Sequence, residues 1–344
     1  MKLGSFYQIL IFFSIGIILV SVSGCTQIQP ASVPALTPSP IPSEEGTQPP
    51  STPHNAFVIA AYWYLYPDPN DDTYPLVMSE QDRIPWTKIN RVYIGFATVH
   101  DGKLTDLPIG DSEENLSTRS EMQGRIRTIV SLWRKNNPDT EIFITSNFGD
   151  SLDDEYLAAA QDPQKFSDSV VSYLQKYDLD GYDMDWESHN IDDYAPQLTS
   201  LLSTTHTTFE ATGNSPSGRP YLLTHTVWPG IESAQTVAGL ASVVDQINIM
   251  SYGPGDTYDL KTYADTYHDA GFPYGKMIGG LEAESGYPES GGPDTLASVS
   301  DKCEYVKANG LAGLFEWRFD NDMRPDNAAP TYQVAEWMGD CLAV

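Results

Sequence analysis

The sequence predicts an α/β domain in which eight parallel strands close into a barrel ringed by helices, and three observations carry that reading. Short runs rich in Val, Ile, Tyr and Phe recur eight times between residues 56 and 319. Most are separated by stretches such as "MQGRIRTIVSLWRKNNP" and "PQKFSDSVVSYLQKYD", where apolar residues return every three or four positions and a proline marks an end. The runs are apolar on both faces, as strands covered inside and outside must be, so strand alternating with helix argues for the parallel (β/α)8 or TIM barrel. An open doubly wound sheet is the alternative. It usually binds nucleotide through a glycine-rich first turn, and "YLYPDPNDD" after the first run contains no glycine.

Taken in order, the chain opens with Lys2, the apolar run "ILIFFSIGIILVSV" and then "SGC", which reads as a secretory signal over residues 1–24. Val22, Ser23, Gly24 and Cys25 resemble a lipobox, which implies removal of the signal and a diacylglycerol anchor on Cys25. An uncleaved span is the other reading, since about 20 apolar residues can cross a bilayer. Both readings place the remainder outside the cytoplasm, tethered to the membrane. Residues 26–55 are rich in Pro, Ser and Thr and nearly devoid of large apolar side chains. They cannot bury enough surface to offset their ordering entropy, and they read as an extended spacer.

Residues 56–344 form the barrel domain, with strands expected at 56–63, 91–99, 141–149, 181–187, 221–228, 246–253, 276–284 and 313–319. Working residues of such a barrel sit at the carboxyl ends of its strands. Tyr62, Ser146, Glu187, Trp228, Tyr252 and Trp317 occupy those positions here.

Acidic residues number 47 against 19 basic ones, a net charge of −28. Such a surface repels phosphate backbones and anionic lipid, which argues against a nucleic-acid partner, and its simplest consequence is solubility. With Cys25 assigned to the anchor, Cys303 and Cys341 remain, either bridged in an oxidising location or as two buried thiols. No cysteine spacing resembles a zinc site, and neither metal nor cofactor is expected.

The fourth strand carries "DLDGYDMDWES", residues 178–188. Side chains alternate across a strand, so Asp183, Asp185 and Glu187 share one face, while Tyr182, Met184 and Trp186 share the other. The apolar set packs against helices. The acids then line the barrel interior, with Glu187 uppermost at the mouth. Burial and mutual repulsion raise the proton affinity of at least one, so that Glu187 is poised as a proton donor near neutral pH. A carboxylic acid above an ionised neighbour is what protonation of a departing glycosidic oxygen requires.

"LDGYDMDWE" resembles the D-G-x-D-x-D-x-E signature of glycoside hydrolase family 18, the chitinases and endo-β-N-acetylglucosaminidases. The resemblance implies that Glu187 is general acid and then base. It implies that Asp185 orients and stabilises the substrate's 2-acetamido group, and that Asp183 shares a proton with Asp185. The acetamido oxygen, not an enzyme carboxylate, then attacks the anomeric carbon, with net retention. "IMSYG" resembles the family's M-x-Y-D motif, making Tyr252 a donor to the acetamido oxygen and Met250 a pocket wall, with Gly253 where an aspartate is expected. "GLFEWRFD" resembles the last strand, whose tryptophan floors the sugar site, here Trp317. The S-x-G-G motif of the third strand is half present as Ser146, Asn147, Phe148 and Gly149, and Ser146 and Tyr62 are expected to hydrogen-bond Asp183. Trp228, His225, Glu282, Glu284 and Glu316 are candidate groove residues. Tyr62, Ser146 and Tyr252 could equally serve core packing, and the others could be rim charges and core aromatics.

The expected function is hydrolysis of β-1,4-linked N-acetylglucosamine in chitin-like polymers or in the chitobiose core of N-glycans, by a monomer. A non-catalytic binding protein on the same barrel is the competing class. Glu187 discriminates, because lectins of this kind usually replace that residue.

Overall fold

The computed structural model describes residues 57–65, 67, 72–106, 116–146, 152–252, 258–285, 292–326 and 328–343, all within one compact unit, Thr52–Val344. The expected signal, Cys25, the spacer, Asn147–Gly149 and Gly253 lie outside the described residues.

The strands are β1 Val58–Tyr64, β2 Arg91–His100, β3 Lys103–Thr105, β4 Glu141–Ser146, β5 Gly181–Met184, β6 Leu222–Val227, β7 Gln246–Ile249, β8 Met277–Glu282 and β9 Gly313–Trp317. Parallel pairing runs β1-β9-β8-β7-β6-β5-β4-β2, and β1 pairs with β2 to close the ring. This is the eight-stranded TIM barrel expected from the sequence. The ninth strand, β3, lies antiparallel on β2 and was not anticipated. Asp101 and Gly102 join the two with φ of 50° and 69°, the positive values a two-residue hairpin turn demands, and a D-G pair tolerates them.

Alternation along each strand divides the core into two layers. Ala60, Tyr62, Tyr93, Phe143, Ile278 and Phe315 fill the barrel interior, and Met250, Tyr252 and Trp317 pack against them higher up. Their neighbours Ile59, Ala61, Val92, Ile94, Ile142, Ile144, Leu223 and Ile247 face the helices. Arg91 seals the lower end. Its guanidinium meets Glu141 at 2.7 Å, donates to the Tyr93 hydroxyl and to Gln246 Oε1 at 3.1 Å each, and lies over the Phe143 ring at 4.7 Å. A buried cation is tolerable only with partners of this kind.

The helix Pro163–Tyr177 delivers the chain to β5. Asp162 caps its start by accepting from the Lys165 amide, Pro163 occupies the first turn, and Asp178 ends it at φ 60°. Gly181 then faces inward, where a Cβ would collide with the Phe143 ring and the Leu222 carbonyl. The glycine of the D-G pair is therefore required by close approach inside the barrel. Cys303, in the helix Leu296–Asn309, is bridged to Cys341 in the helix Gln333–Leu342, with Cα atoms 6.3 Å apart. Closing a 38-residue separation removes about 4 kcal/mol of unfolded-chain entropy in the loop-closure model. Among the described residues no helix is long and apolar enough to cross a membrane.

Candidate active site

β5 is shorter than the seven residues expected. Its ladder ends at Met184, which pairs with Ser146 of β4 and His225 of β6, and Asp185–Ser188 continue free of the sheet. The inside-outside alternation nevertheless persists, because Trp186 anchors the segment from outside. Its indole donates to Asp153 at 2.7 Å and stacks on Tyr156 and Tyr194, with centroids 4.6 and 5.7 Å away. Ser188 donates to the other Asp153 oxygen at 2.9 Å. Asp185 and Glu187 are thereby turned into the mouth.

There they line a cleft of about 240 Å³ with Tyr62, Phe96, Thr226, Met250, Tyr252, Phe315 and Trp317, an aromatic wall with a few converging polar groups. Asp183, fully buried below, accepts from Thr224 at 2.6 Å, from Tyr62 and Thr226 at 3.0 Å each, and from Asn248 at 3.3 Å. Burial raises its pKa, and those donors hold the rise back. Asp185 has no such help. Its Oδ1 is buried without a hydrogen-bond partner, and burial, then Glu187 and Asp183, push its carboxyl well above the usual carboxylate range. Glu187 is only partly buried, and desolvation lifts its pKa from 4.5 to about 7. The column therefore carries protons at neutral pH, and its uppermost member can exchange one with whatever occupies the cleft.

Tyr252 stands opposite, half-buried, its hydroxyl kept protonated by burial and by Glu282, Glu187 and Asp185. β7 ends at Ile249, three residues before it, so other contacts must hold it. Ser251 supplies them, donating to the Gly280 carbonyl at 3.0 Å and accepting from the Gly280 amide at 2.8 Å. Gly280 also makes room, since a Cβ there would come within 2.7 Å of the Tyr252 ring and 2.8 Å of the Ile249 carbonyl. Met250 lines the same wall. Trp317 leans on Tyr62 and Phe96 with centroids 5.8 and 5.9 Å away.

Several expected site residues stand elsewhere. Ser146 does not reach Asp183; it bonds the Tyr156 and Tyr182 hydroxyls at 2.7 Å each, on the helix side. The cause is parity: Phe143 points inward, so Thr145, in register with Asp183, is the inward neighbour. His225 is buried outside the barrel wall between the Met184 carbonyl at 2.8 Å and Glu232 at 3.1 Å. Glu316 is likewise buried on the outer face, where burial and Asp322 raise its pKa. Trp228 is half-buried against His189 at 5.1 Å and does not line the cleft. Glu282 is buried beside the cleft, accepting from the Glu284 amide at 2.9 Å.

Thr224, Thr226, Asn248, Ser251, Gly280 and Phe96 were not anticipated. The threonines and Asn248 had a signal, namely inward polar positions in "LLTHTV" and "QINI". Phe96 had none, because it reaches the cleft through a register shift between Gly95 and Ala97.

A model of "Glycosyl hydrolases family 18" matches residues 59–281. Chitinase A1 of Niallia circulans is 24% identical over 237 residues, which is 57% of this chain but 31% of the chitinase, so the matched stretch spans about a third of that relative. A mutant class V chitinase from Nicotiana tobaccum in complex with NAG4 superposes with a TM-score of 0.65 at 18% identity, covering 84% of this chain and 99% of its own. A chitinase-like agglutinin from Robinia pseudoacacia gives 0.62 at 17% identity, over 83% and 100%. At these identities the two structures speak for the fold alone.

Proposed function

Since the chain belongs to glycosyl hydrolases family 18, we propose that it is a retaining hydrolase of β-1,4-linked N-acetylglucosamine working by substrate assistance. The observation that carries this is the column itself: a partly exposed Glu187 with a pKa near 7 above a buried Asp185 whose Oδ1 lacks a partner. The orphan oxygen suits an acetamido N–H, and Tyr252 suits its carbonyl oxygen.

In this reading Glu187 gives its proton to the glycosidic oxygen as the bond to the anomeric carbon breaks, and the leaving sugar departs as an alcohol. The acetamido oxygen forms the new bond to that carbon, and Asp185 stabilises the resulting oxazolinium charge. Glu187, now a carboxylate, takes a proton from the water that opens the ring, which restores the acid and retains the configuration. Trp317 stacks under the reacting ring.

Incubating the soluble domain with an N-acetylglucosamine oligomer, and separately with a high-mannose glycoprotein, should release shortened oligomers in the first case by mass spectrometry. A thiazoline mimic of the oxazolinium should inhibit that release. Turnover untouched by the thiazoline would remove acetamido participation, and release from the glycoprotein alone would move the substrate to N-glycan cores.

We also propose that the domain is tethered outside the cytoplasm through a lipid on Cys25, on the strength of Lys2, the apolar run and "SGC". Cells fed a labelled fatty acid should label the protein, Cys25→Ala should abolish the label, and mass spectrometry should find the mature chain beginning at residue 25. An unlabelled protein that keeps residues 1–24 would favour an uncleaved span instead.

A further inference from the structure

Trp317 owes its position to more than the aromatic contacts described above. Its indole N–H points away from the cleft and donates to Glu284 Oε2 at 3.0 Å. Glu284 is 6% exposed, two residues past the end of β8, and its other oxygen accepts from Arg318 Nε at 2.6 Å and Asn321 Nδ2 at 3.0 Å. Arg318 is held in turn. It meets Asp320 at 3.2 Å and lies over the Tyr64 ring at 4.8 Å, while Asp320 accepts from the Tyr64 amide at 2.9 Å and from the Thr73 hydroxyl. One carboxylate thus ties the indole edge to a buried polar cluster that joins the ends of β1, β8 and β9.

A stacking platform is useful only if its plane is fixed before the sugar arrives, because a ring that must be ordered on binding spends affinity on that ordering. Tyr62 and Phe96 meet Trp317 at interplanar angles of 59° and 35°, contacts that permit rocking about the indole's long axis. The N–H bond to Glu284 is directional and charge-assisted, and it removes that freedom. Glutamine cannot substitute fully. Its single carbonyl oxygen can serve either the indole or the Arg318 and Asn321 donors, and its amide hydrogens then face whichever remains.

We propose that Glu284 is a positioning residue that fixes the Trp317 indole as the floor of the sugar site. This rests on the functional reading of that cleft. The test uses Glu187→Gln as a non-turning parent and measures binding of an N-acetylglucosamine tetramer by calorimetry. Adding Glu284→Gln should weaken binding about tenfold, the worth of one such hydrogen bond. In a Trp317→Phe background, where no indole N–H exists, the same change should cost less than about twofold. NMR hydrogen exchange of the Trp317 indole N–H, assigned by its loss in Trp317→Phe, should be slow in the parent and accelerated in Glu284→Gln. Equal weakening in both backgrounds would mean a general structural role and would overturn the proposal, as would unchanged indole exchange. A parent that fails to bind the tetramer counts against the functional reading, and the exchange measurement still decides whether Glu284 fixes Trp317.

Discussion

Glu187→Gln is expected to cut hydrolysis of N-acetylglucosamine oligomers by about 10²–10⁴-fold or more, the range for losing a positioned general acid, while sugar binding persists. The amide keeps the size of the side chain but can neither donate an acidic proton nor accept one from water. In the unsubstituted protein that hydrolysis should decline as pH rises through about 7, where Glu187 surrenders its proton. The same substitution should stabilise the fold, and the sign follows from linkage. An unfolded glutamate ionises near 4.5 and the folded one near 7, so between those values the native state holds more protons and stability falls as pH rises. Above pH 7 that cost is complete, on the order of 3 kcal/mol for the shift, and glutamine escapes it. Melting curves of the two proteins should coincide near pH 4 and separate above pH 7 in favour of the variant. Undiminished turnover by Glu187→Gln would end the catalytic assignment, and coincident melting at pH 8 would mean that Glu187 is not desolvated as described.

Asp185→Asn is the second large effect, with kcat expected to fall about 10²–10³-fold, as when one preorganised electrostatic partner is removed from a transition state. Asparagine fills the same space and still offers a carbonyl oxygen, so the ground-state complex should form with KM little altered. What disappears is the carboxyl's ability to become an anion as the oxazolinium charge develops beside it. Steady-state kinetics on oligomers of defined length separate the two parameters. A rise in KM at constant kcat would recast Asp185 as a binding contact only.

How much of this was legible follows from what a linear pattern can encode. Eight β-rich runs separated by helical periodicity contain the barrel, because burial of both strand faces writes itself into composition. The acid column was legible for a sharper reason: "YDMDWE" alternates strictly, so its inner and outer faces could be told apart without a structure. "EIFITS" does not alternate, being apolar on both faces, and nothing local says that Phe143 rather than Ile144 turns inward. Ser146 was assigned to the wrong side for that reason. Phe96, Gly280 and the tie between Trp317 and Glu284, the latter expected only as a groove residue, were hidden for a different one. Each depends on a neighbour distant in sequence, whether through a register shift, a ring laid on a glycine, or an indole reaching across from the next strand.

The seal at Arg91 has a consequence for traffic. From that guanidinium, hydrogen bonds run through the Tyr93 hydroxyl to Asn248 at 3.3 Å, from Asn248 to Tyr62 at 2.8 Å, and from Tyr62 to Asp183. A fixed positive charge at the foot of that chain, paired with Glu141, offers no passage for a hydronium ion, and the tube behaves as a blind well. Among the described residues, the way from solvent to Asp183 and Asp185 is the mouth where Glu187 stands, so whatever the well takes up, protons included, passes that carboxyl.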